Sequence, residues 1–313
     1  MKLIIQIPCY NEEETISKTL SDLPEKIEGI DEIQVLIIND GSTDKTIEAA
    51  KASGVENFID FQTNRGLARA FSAGLAKSLD LGADIIVNTD ADNQYCADDI
   101  QKLIKPILEK KADIVIGTRP VEEIKHFSFT KKMLQKLGSW VMRVISSTDI
   151  QDAPSGFRAF SKDAALKINI FDNYTYTLET IIQARAKGLK IACVPVRVNP
   201  ELRKSKLMKN MFDYIRRSSF TMMRMFIVYR PFRFFAIIGS IFLLAGFFIG
   251  ARFLYFYSHA QGSGHIQSLI LSAILILTGV QTGLIAVFAE LQSINRKIVE
   301  DIQTRVKKIE LNK

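Results

Sequence analysis

The stretch Ile85-Ile86-Val87-Asn88-Thr89-Asp90-Ala91-Asp92-Asn93-Gln94 decides how the chain is read. Its opening residues form a short, β-branched, apolar run, long enough for a buried strand and too short for a helix. The run gives way to two aspartates and a glutamine at alternate positions, and alternate side chains after a strand tend to point the same way. Two carboxylates and an amide oxygen make a hard, oxygen-only donor set, suited to Mg²⁺ or Mn²⁺ shared with phosphate oxygens. An isolated DxD is weak, because surface loops contain many. Its weight depends on where the strand lies.

The pattern repeats outward from that stretch. Short apolar runs at 3–7, 34–38, 57–61, 85–88, 114–117 and 191–196 alternate with helical stretches at 12–20, 45–52, 67–81, 97–109 and 178–186. The alternation predicts an α/β fold, a mostly parallel sheet with helices on both faces. In such sheets ligands sit outside the carboxyl ends of the strands. Five successive strand ends deliver polar groups there: Pro8-Cys9-Tyr10-Asn11-Glu12, Asn39-Asp40-Gly41-Ser42, Asn64-Arg65-Gly66, Asp90-Ala91-Asp92-Asn93-Gln94 and Gly117-Thr118-Arg119. Turn chemistry accounts for part of this. Asn39-Asp40-Gly41 makes a good turn and Asn11 a good helix N-cap, but neither rule asks for two acids and an amide at alternate positions. Asp40 could accept hydrogen bonds from a base or a ribose. The helices that follow Asn11 and Gly66 offer N-termini that favour anions. No GxGxxG follows the first strand and no GxxxxGK[ST] occurs, which excludes a dinucleotide-binding oxidoreductase and a P-loop NTPase.

The 313 residues are 47% hydrophobic and 24% charged, a globular average that excludes a disordered or collagen-like chain. Cys9, Cys96 and Cys193 are far apart, no CxxC occurs, and histidine is limited to His126, His259 and His265. A structural zinc site or a disulfide framework is not expected, and the cysteines fit a reducing compartment. The N-terminal apolar run is too short for a signal peptide.

The average hides an asymmetry. Residues 234–251 are 18 without a charge, and residues 266–289 are 24. At 1.5 Å per residue both suffice to cross a bilayer, and Arg252 could snorkel to the interface. The link Ser258-His259-Ala260-Gln261-Gly262-Ser263-Gly264-His265 carries no Lys or Arg. Residues 197–233 carry ten against two acids, Glu201 and Asp213. The positive-inside rule then places both chain ends in the cytoplasm of a cell (inner) membrane protein with two spans. The expected organisation is a cytoplasmic catalytic domain over 1–200, a basic amphipathic juxtamembrane segment over 201–231, two spans over 232–290 (about 234–257 and 266–289), and a charged cytoplasmic tail over 291–313. The helical pattern at 207–230 is basic and amphipathic, as in helices that lie on a membrane surface. Nucleic-acid binding is set aside, because the basic run adjoins the spans and no recognition motif occurs. The tail alternates charge at helical spacing and reads as a solvated helix, with a homo-oligomer contact left open. Glu179 could line the site, but reads first as an exposed acid at a helix start.

Taken together, Pro8/Tyr10/Asn11/Glu12, the run from Asn39 to Asp44, Asn64/Gly66, Asp90/Asp92/Gln94, Gly117-Thr118-Arg119 and Ser155-Gly156-Phe157-Arg158 resemble the family-2 inverting glycosyltransferases. The closer resemblance is to the polyprenyl-phosphate sugar synthases, the group of dolichol-phosphate mannose synthase and undecaprenyl-phosphate glucosyltransferases. It covers about residues 1–230, and the two spans match the membrane-anchored branch. The resemblance implies a type A nucleotide-sugar fold. It implies transfer of one sugar, with inversion, from a UDP- or GDP-linked donor to an undecaprenyl or dolichyl phosphate. By position, Pro8, Tyr10, Glu12, Asp40 and Asp90 would contact the nucleotide. Asp90, Asp92 and Gln94 would hold Mg²⁺ or Mn²⁺, and Asp90, Asp92 and Arg119 would carry catalysis. Arg119, Arg203, Ser205 and Lys206 would hold the acceptor phosphate, while Asp152 and 155–158 would shape the floor near the sugar. Departures are Asn93 where Leu is usual, Lys204 where Gly is common, and a second acceptor arginine whose place falls to Lys131 or Lys132. The QxxRW motif of the processive branch is absent, since the only tryptophan is Trp140.

Other classes stand beside this one: a non-catalytic membrane scaffold that keeps a nucleotide-sugar fold, a glycosyltransferase using another membrane lipid acceptor, and a transporter. A scaffold has no need of all of Asp90, Asp92 and Gln94. A transport path usually shows buried ionisable groups, and the two spans carry no acid.

Overall fold

The computed structural model describes residues 1–120, 150, 152–170, 176–200, 216, 220, 223–224, 226–259 and 266–311. The expected residues Arg203, Ser205 and Lys206, the pair Lys131/Lys132, Trp140 and nearly all of the amphipathic segment lie outside them.

Seven described strands form one sheet: β1 (Lys2–Cys9), β2 (Glu32–Asn39), β3 (Asn57–Asp60), β4 (Ile85–Asn88), β5 (Ile114–Thr118), β6 (Arg158–Ser161) and β7 (Ile191–Pro195), in the spatial order β3-β2-β1-β4-β6-β5-β7. The helices between them are α1 (Ile16–Ser21), α2 (Thr46–Ala52), α3 (Leu67–Asp80), α4 (Ile100–Leu108), α5 (Lys162–Lys167) and α6 (Thr177–Ala186). All pairings are parallel except those of β6, which runs antiparallel to β4 and β5. The mostly parallel, helix-covered sheet expected from the alternation is therefore present. β1 shows why the strands read as continuous apolar runs: from Leu3 to Cys9 every residue is buried, as a strand covered on both faces requires. On one face Leu3, Ile5 and Ile7 pack with Val87, Leu103, Ile104 and Phe157. In α4 the buried residues Ile100, Leu103, Ile104 and Ile107 follow the i, i+3, i+4, i+7 spacing of a one-sided helix.

Three features differ from expectation. β6 was not anticipated, because four residues beginning with an arginine give no apolar run. The six-residue α5 was not anticipated either. Residues 12–15 are not helical, and α1 starts only at Ile16. Asn11 does not cap it. Asn11 takes φ 55°, and its Oδ1 instead accepts the Thr43 amide at 2.8 Å while its own amide donates to Ser42 Oγ at 2.9 Å. The polar groups of that loop are used to tie β1 to β2.

The order of strands creates the crevice. From β1 the chain builds β2 and β3 outward on one side, then returns to place β4 on the other, so the carboxyl ends of β1 and β4 flank a topological switch point. Pro8 is tolerated inside this central strand for a geometric reason. Along a parallel strand, successive residues bond alternately to the two neighbours. Cys9 O accepts from Asp40 on the β2 side and Gln6 O from Thr89 on the β4 side, so Pro8 faces β4. There the pairing has already ended at Gln6 with Asn88, and the missing N–H costs no ladder bond.

By contacts the chain divides into two units, Met1–Met222 with Thr304–Lys313, and Met223–Gln303. The second holds α7 (Pro231–Ser258) and, as far as Gln303, α8 (Ile266–Glu310), each long and apolar enough to cross a membrane. They pack along a small-residue seam, where Ser272 Oγ donates to Gly246 O at 2.8 Å and a Cβ on Gly246 would meet Ile276 Cγ1 at 2.7 Å. Most of the large side chains away from this seam, such as Phe248, Leu244 and Phe288, are exposed, the surface a lipid phase accepts. The tail is not a uniformly solvated helix. In the second unit Ser293 and Glu300 are buried, and the Arg296 guanidinium sits 4.1 Å from the Tyr229 ring centroid. In the first unit Lys307 Nζ donates to Asn169 Oδ1 at 2.9 Å. Meanwhile Ile294, Ile298 and Ile302 are exposed. Arg296 Nε lies 3.4 Å from Glu300 Oε1, one turn further along α8.

Candidate active site

Three loops meet at the carboxyl ends of β1, β2 and β3. The buried Asp40 spans them: its Oδ1 accepts the Arg65 amide at 2.7 Å and its Oδ2 the Gly66 amide at 2.9 Å. The anion at the start of α3 is thus the chain's own carboxylate. Burial pushes the Asp40 carboxyl up from its ordinary value, against the pull of those two amides. Gly41 makes the crossing possible. It holds φ 74°, and a Cβ there would lie 2.5 Å from the Thr63 carbonyl carbon. Glu12 is buried beside Asp40's strand end, its Oε2 accepting Thr15 Oγ1 at 3.0 Å and its amide donating to Thr46 Oγ1 at 2.8 Å. Pro8 is buried, whereas Tyr10 projects 42% exposed at the mouth.

Across the switch point β4 ends in the Asp90-to-Gln94 loop. Asp90, Asp92 and Gln94 are all half-buried. Asp92 Oδ1 accepts the Gln94 amide at 3.1 Å, and Gln94 O accepts Asn199 N at 2.8 Å, which fixes the loop's turn. Asn93 holds φ 55° and its Nδ2 reaches Asp22. Asp90 lies over Gly156: a Cβ on that glycine would come within 3.0 Å of both Asp90 carboxylate oxygens and of Tyr176 Oη. Among the described residues no group of three or more His, Cys, Asp or Glu could hold a metal by itself. Two acids and an amide on one short loop fit Mg²⁺ or Mn²⁺, which commonly take only one or two carboxylates and complete their shell with water and substrate phosphates.

Beneath these loops lies a polar lattice around residues 155–158, which the resemblance had pointed to; its other members, Gln6, Asn88, Tyr95 and Tyr176, were not singled out there by sequence. Asn88, fully buried, accepts from Gln6 Nε2 at 2.9 Å and donates to Gly156 O at 2.9 Å and to Tyr176 Oη at 2.8 Å. The Tyr176 ring stacks on Phe71 at 3.8 Å. Tyr95 Oη accepts the Gly156 amide at 3.2 Å, and burial pushes its phenol up to about 12. Arg158 is 0% exposed and donates to Ser155 O, Thr177 O and Ala153 O at 2.7–2.8 Å and to Thr180 Oγ1 at 2.5 Å; burial lowers its guanidinium to about 10, against the pull of Tyr176 and Asp152. The visible signal was Asn88 itself, an amide closing an otherwise apolar run.

Arg119, at the end of β5, is gripped by the fully buried Asp152. Its Nε donates to Oδ2 at 2.7 Å and its Nη2 to Oδ1 at 3.0 Å. Asp152 thus fixes the orientation of the Arg119 guanidinium. Glu179 is not an exposed acid. It is 0% exposed and accepts from Gln183 Nε2 at 3.2 Å, because α6 is buried all round from Thr177 to Ala184.

Residues 4–168 match the model of the family described as Glycosyl transferase family 2. The chain is 32% identical over 213 residues, 61% of its length and 83% of the other's, to a UDP-N-acetylglucosamine–dolichyl-phosphate N-acetylglucosaminyltransferase of Methanococcus voltae. It is 28% identical over 218 residues, 66% of its length and 88% of the other's, to an undecaprenyl-phosphate mannosyltransferase of Micrococcus luteus. Among solved structures, glucosyl-3-phosphoglycerate synthase from Mycobacterium tuberculosis, crystallised with Mn²⁺, UDP and glucosyl-3-phosphoglycerate, superposes with a TM-score of 0.57 over 72% of this chain and 78% of that one, at 18% identity. At that identity the likeness is one of fold.

Proposed function

The chain belongs to glycosyl transferase family 2, and from that membership we propose that it transfers a single sugar, with inversion, from a nucleoside diphosphate sugar to a polyprenyl phosphate in a cell membrane. The observation that carries the reading is the Asp90, Asp92 and Gln94 loop at the carboxyl end of β4, beside the switch point. The acceptor class is supported by the relatives from Methanococcus voltae and Micrococcus luteus, whose names specify dolichyl and undecaprenyl phosphate, and by two helices of membrane-crossing length in this chain.

Asp90, Asp92 and Gln94 would hold Mg²⁺ or Mn²⁺, which when bound neutralises the departing diphosphate. Pro8, Tyr10, Glu12 and Asp40 border the nucleoside side. With both oxygens already accepting amides, Asp40 would use its remaining lone pairs toward base or ribose. A phosphate monoester acceptor has a second pKa of about 6 and is already a competent nucleophile near neutral pH. Catalysis would then rest on positioning and charge. Arg119 Nη1 would face the acceptor phosphate, held in place through Asp152. Arg203, Ser205 and Lys206 would close over that phosphate from the basic segment, while 207–230 lies at the headgroup level and both chain ends remain cytoplasmic.

The test is transfer of radiolabel from a panel of UDP- and GDP-sugars into lipid extract with Mn²⁺, after a thermal-shift screen in which the bound donor raises the melting temperature. A UDP-hexose is expected to score. Label that enters no chloroform-soluble, mild-acid-labile product from any donor would overturn the reading.

A further inference from the structure

Asn88 and Tyr176 take no part in the reading above, yet both end at the same point, the backbone of Gly156 beneath Asp90. Tyr176 Oη accepts from Asn88 Nδ2 at 2.8 Å and donates to Gly156 O at 3.2 Å. The same hydroxyl and both Asp90 oxygens each lie 3.0 Å from where a Gly156 Cβ would be. The Asp90 carboxylate and the Tyr176 hydroxyl thus both border the slot left by the missing Gly156 side chain. Asn88 closes β4 and Asp90 follows it two residues on, in the loop that leaves the strand. Asn88 is locked from the other direction by Gln6, and the Tyr176 ring by Phe71. Gln6, Phe71, Asn88 and Tyr176 are each at most 1% exposed. A lattice so enclosed has few ways to relax.

We propose that Asn88 and Tyr176 are positioning residues for Asp90: they fix Gly156 against β4 so that the Asp90 carboxylate is presented to the cation in one orientation. The inference rests on the metal reading of Asp90, Asp92 and Gln94. Groups that orient a metal ligand without touching the metal commonly shift its affinity by 10- to 100-fold when removed.

Tyr176→Phe removes the hydroxyl and keeps the ring on Phe71, so the fold survives. With the full-length protein in detergent and UDP present, free Mn²⁺ counted by electron paramagnetic resonance is expected to show affinity weakened about tenfold. The Mn²⁺ activation constant of transfer should rise by a similar factor, while the KM for nucleotide sugar at saturating Mn²⁺ changes less than about twofold. Gly156→Ala, which fills the slot between Asp90 and Tyr176, should move the same constants in the same direction. Tyr176→Phe with Mn²⁺ binding unchanged, whatever its melting temperature, overturns the positioning role and leaves the site reading standing. Asp92→Ala binding Mn²⁺ as tightly as the unsubstituted protein overturns the site reading and the positioning role with it.

Discussion

Asp92 and Arg203 stand at opposite sides of the proposed reaction, and each makes a separable demand. Asp92 Oδ1 holds the Gln94 amide, so Asp92→Ala removes a carboxylate and loosens the loop that carries the neighbouring ligand. Turnover is expected to fall by at least about 10²-fold, with the protein still recovered in the membrane fraction; radiolabel incorporation into lipid measures it. Arg203→Ala is expected to raise the KM for lipid acceptor while leaving the KM for nucleotide sugar nearly unchanged, because it is assigned to the acceptor phosphate alone. A larger effect on the nucleotide-sugar KM would move Arg203 to the donor side. Gly41 is a residue-scale demand of the fold. Its φ of 74° and the 2.5 Å approach of the Thr63 carbonyl carbon leave no place for a methyl group. Gly41→Ala should cost of order 1–3 kcal/mol, lowering the melting temperature by at least roughly 3 °C.

Between elements, the joint of α4 with the chain leaving β7 carries a pH signature. Asp99 is fully buried at the start of α4 and accepts from Arg197 N at 2.7 Å and Arg197 Nη2 at 3.0 Å, with Lys102 Nζ at 2.8 Å. Burial alone would raise its carboxyl, but the Arg197 and Lys102 hydrogen bonds outweigh it and hold it below 3.8. A carboxyl depressed in the folded state adds stability that is full above its unfolded value and is lost as pH falls through the folded one. Stability should therefore decline as the pH drops below about 4, and Asp99→Asn should flatten that decline while lowering stability at pH 7. Urea melts of both proteins between pH 7 and pH 3 check it. Parallel acid curves would exclude Asp99 as a source.

For the whole molecule, α7 and α8 separate anchoring from chemistry. Deleting 232–313 is expected to move the protein from the membrane to the soluble fraction; an unchanged membrane fraction would place the anchor elsewhere. The same deletion removes Lys307 from Asn169, a lost hydrogen bond of about 1 kcal/mol. The catalytic unit should then melt lower by roughly 2–4 °C, a shift that a purely anchoring tail would not produce.

Periodicity and residue chemistry were enough, without coordinates, for six of the seven described strands, the helices between them other than α5, the two long apolar helices and the polar strand ends, because each is a local pattern with a local cause. The Asp90, Asp92 and Gln94 spacing is local too, and so was visible. What tertiary structure alone decided are the features that depend on partners distant in the chain. β6 is a strand only because β4 and β5 bond it on both sides. Glu179 is buried only because α6 is covered all round. Asn11 ties two loops rather than capping a helix because Ser42 and Thr43 arrive beside it. Asn88, Gly156 and Tyr176 converge under Asp90 only once β4, the loop before β6 and the start of α6 are packed together. Most buried amides and hydroxyls find a hydrogen-bond partner, but the linear order of residues does not say which one.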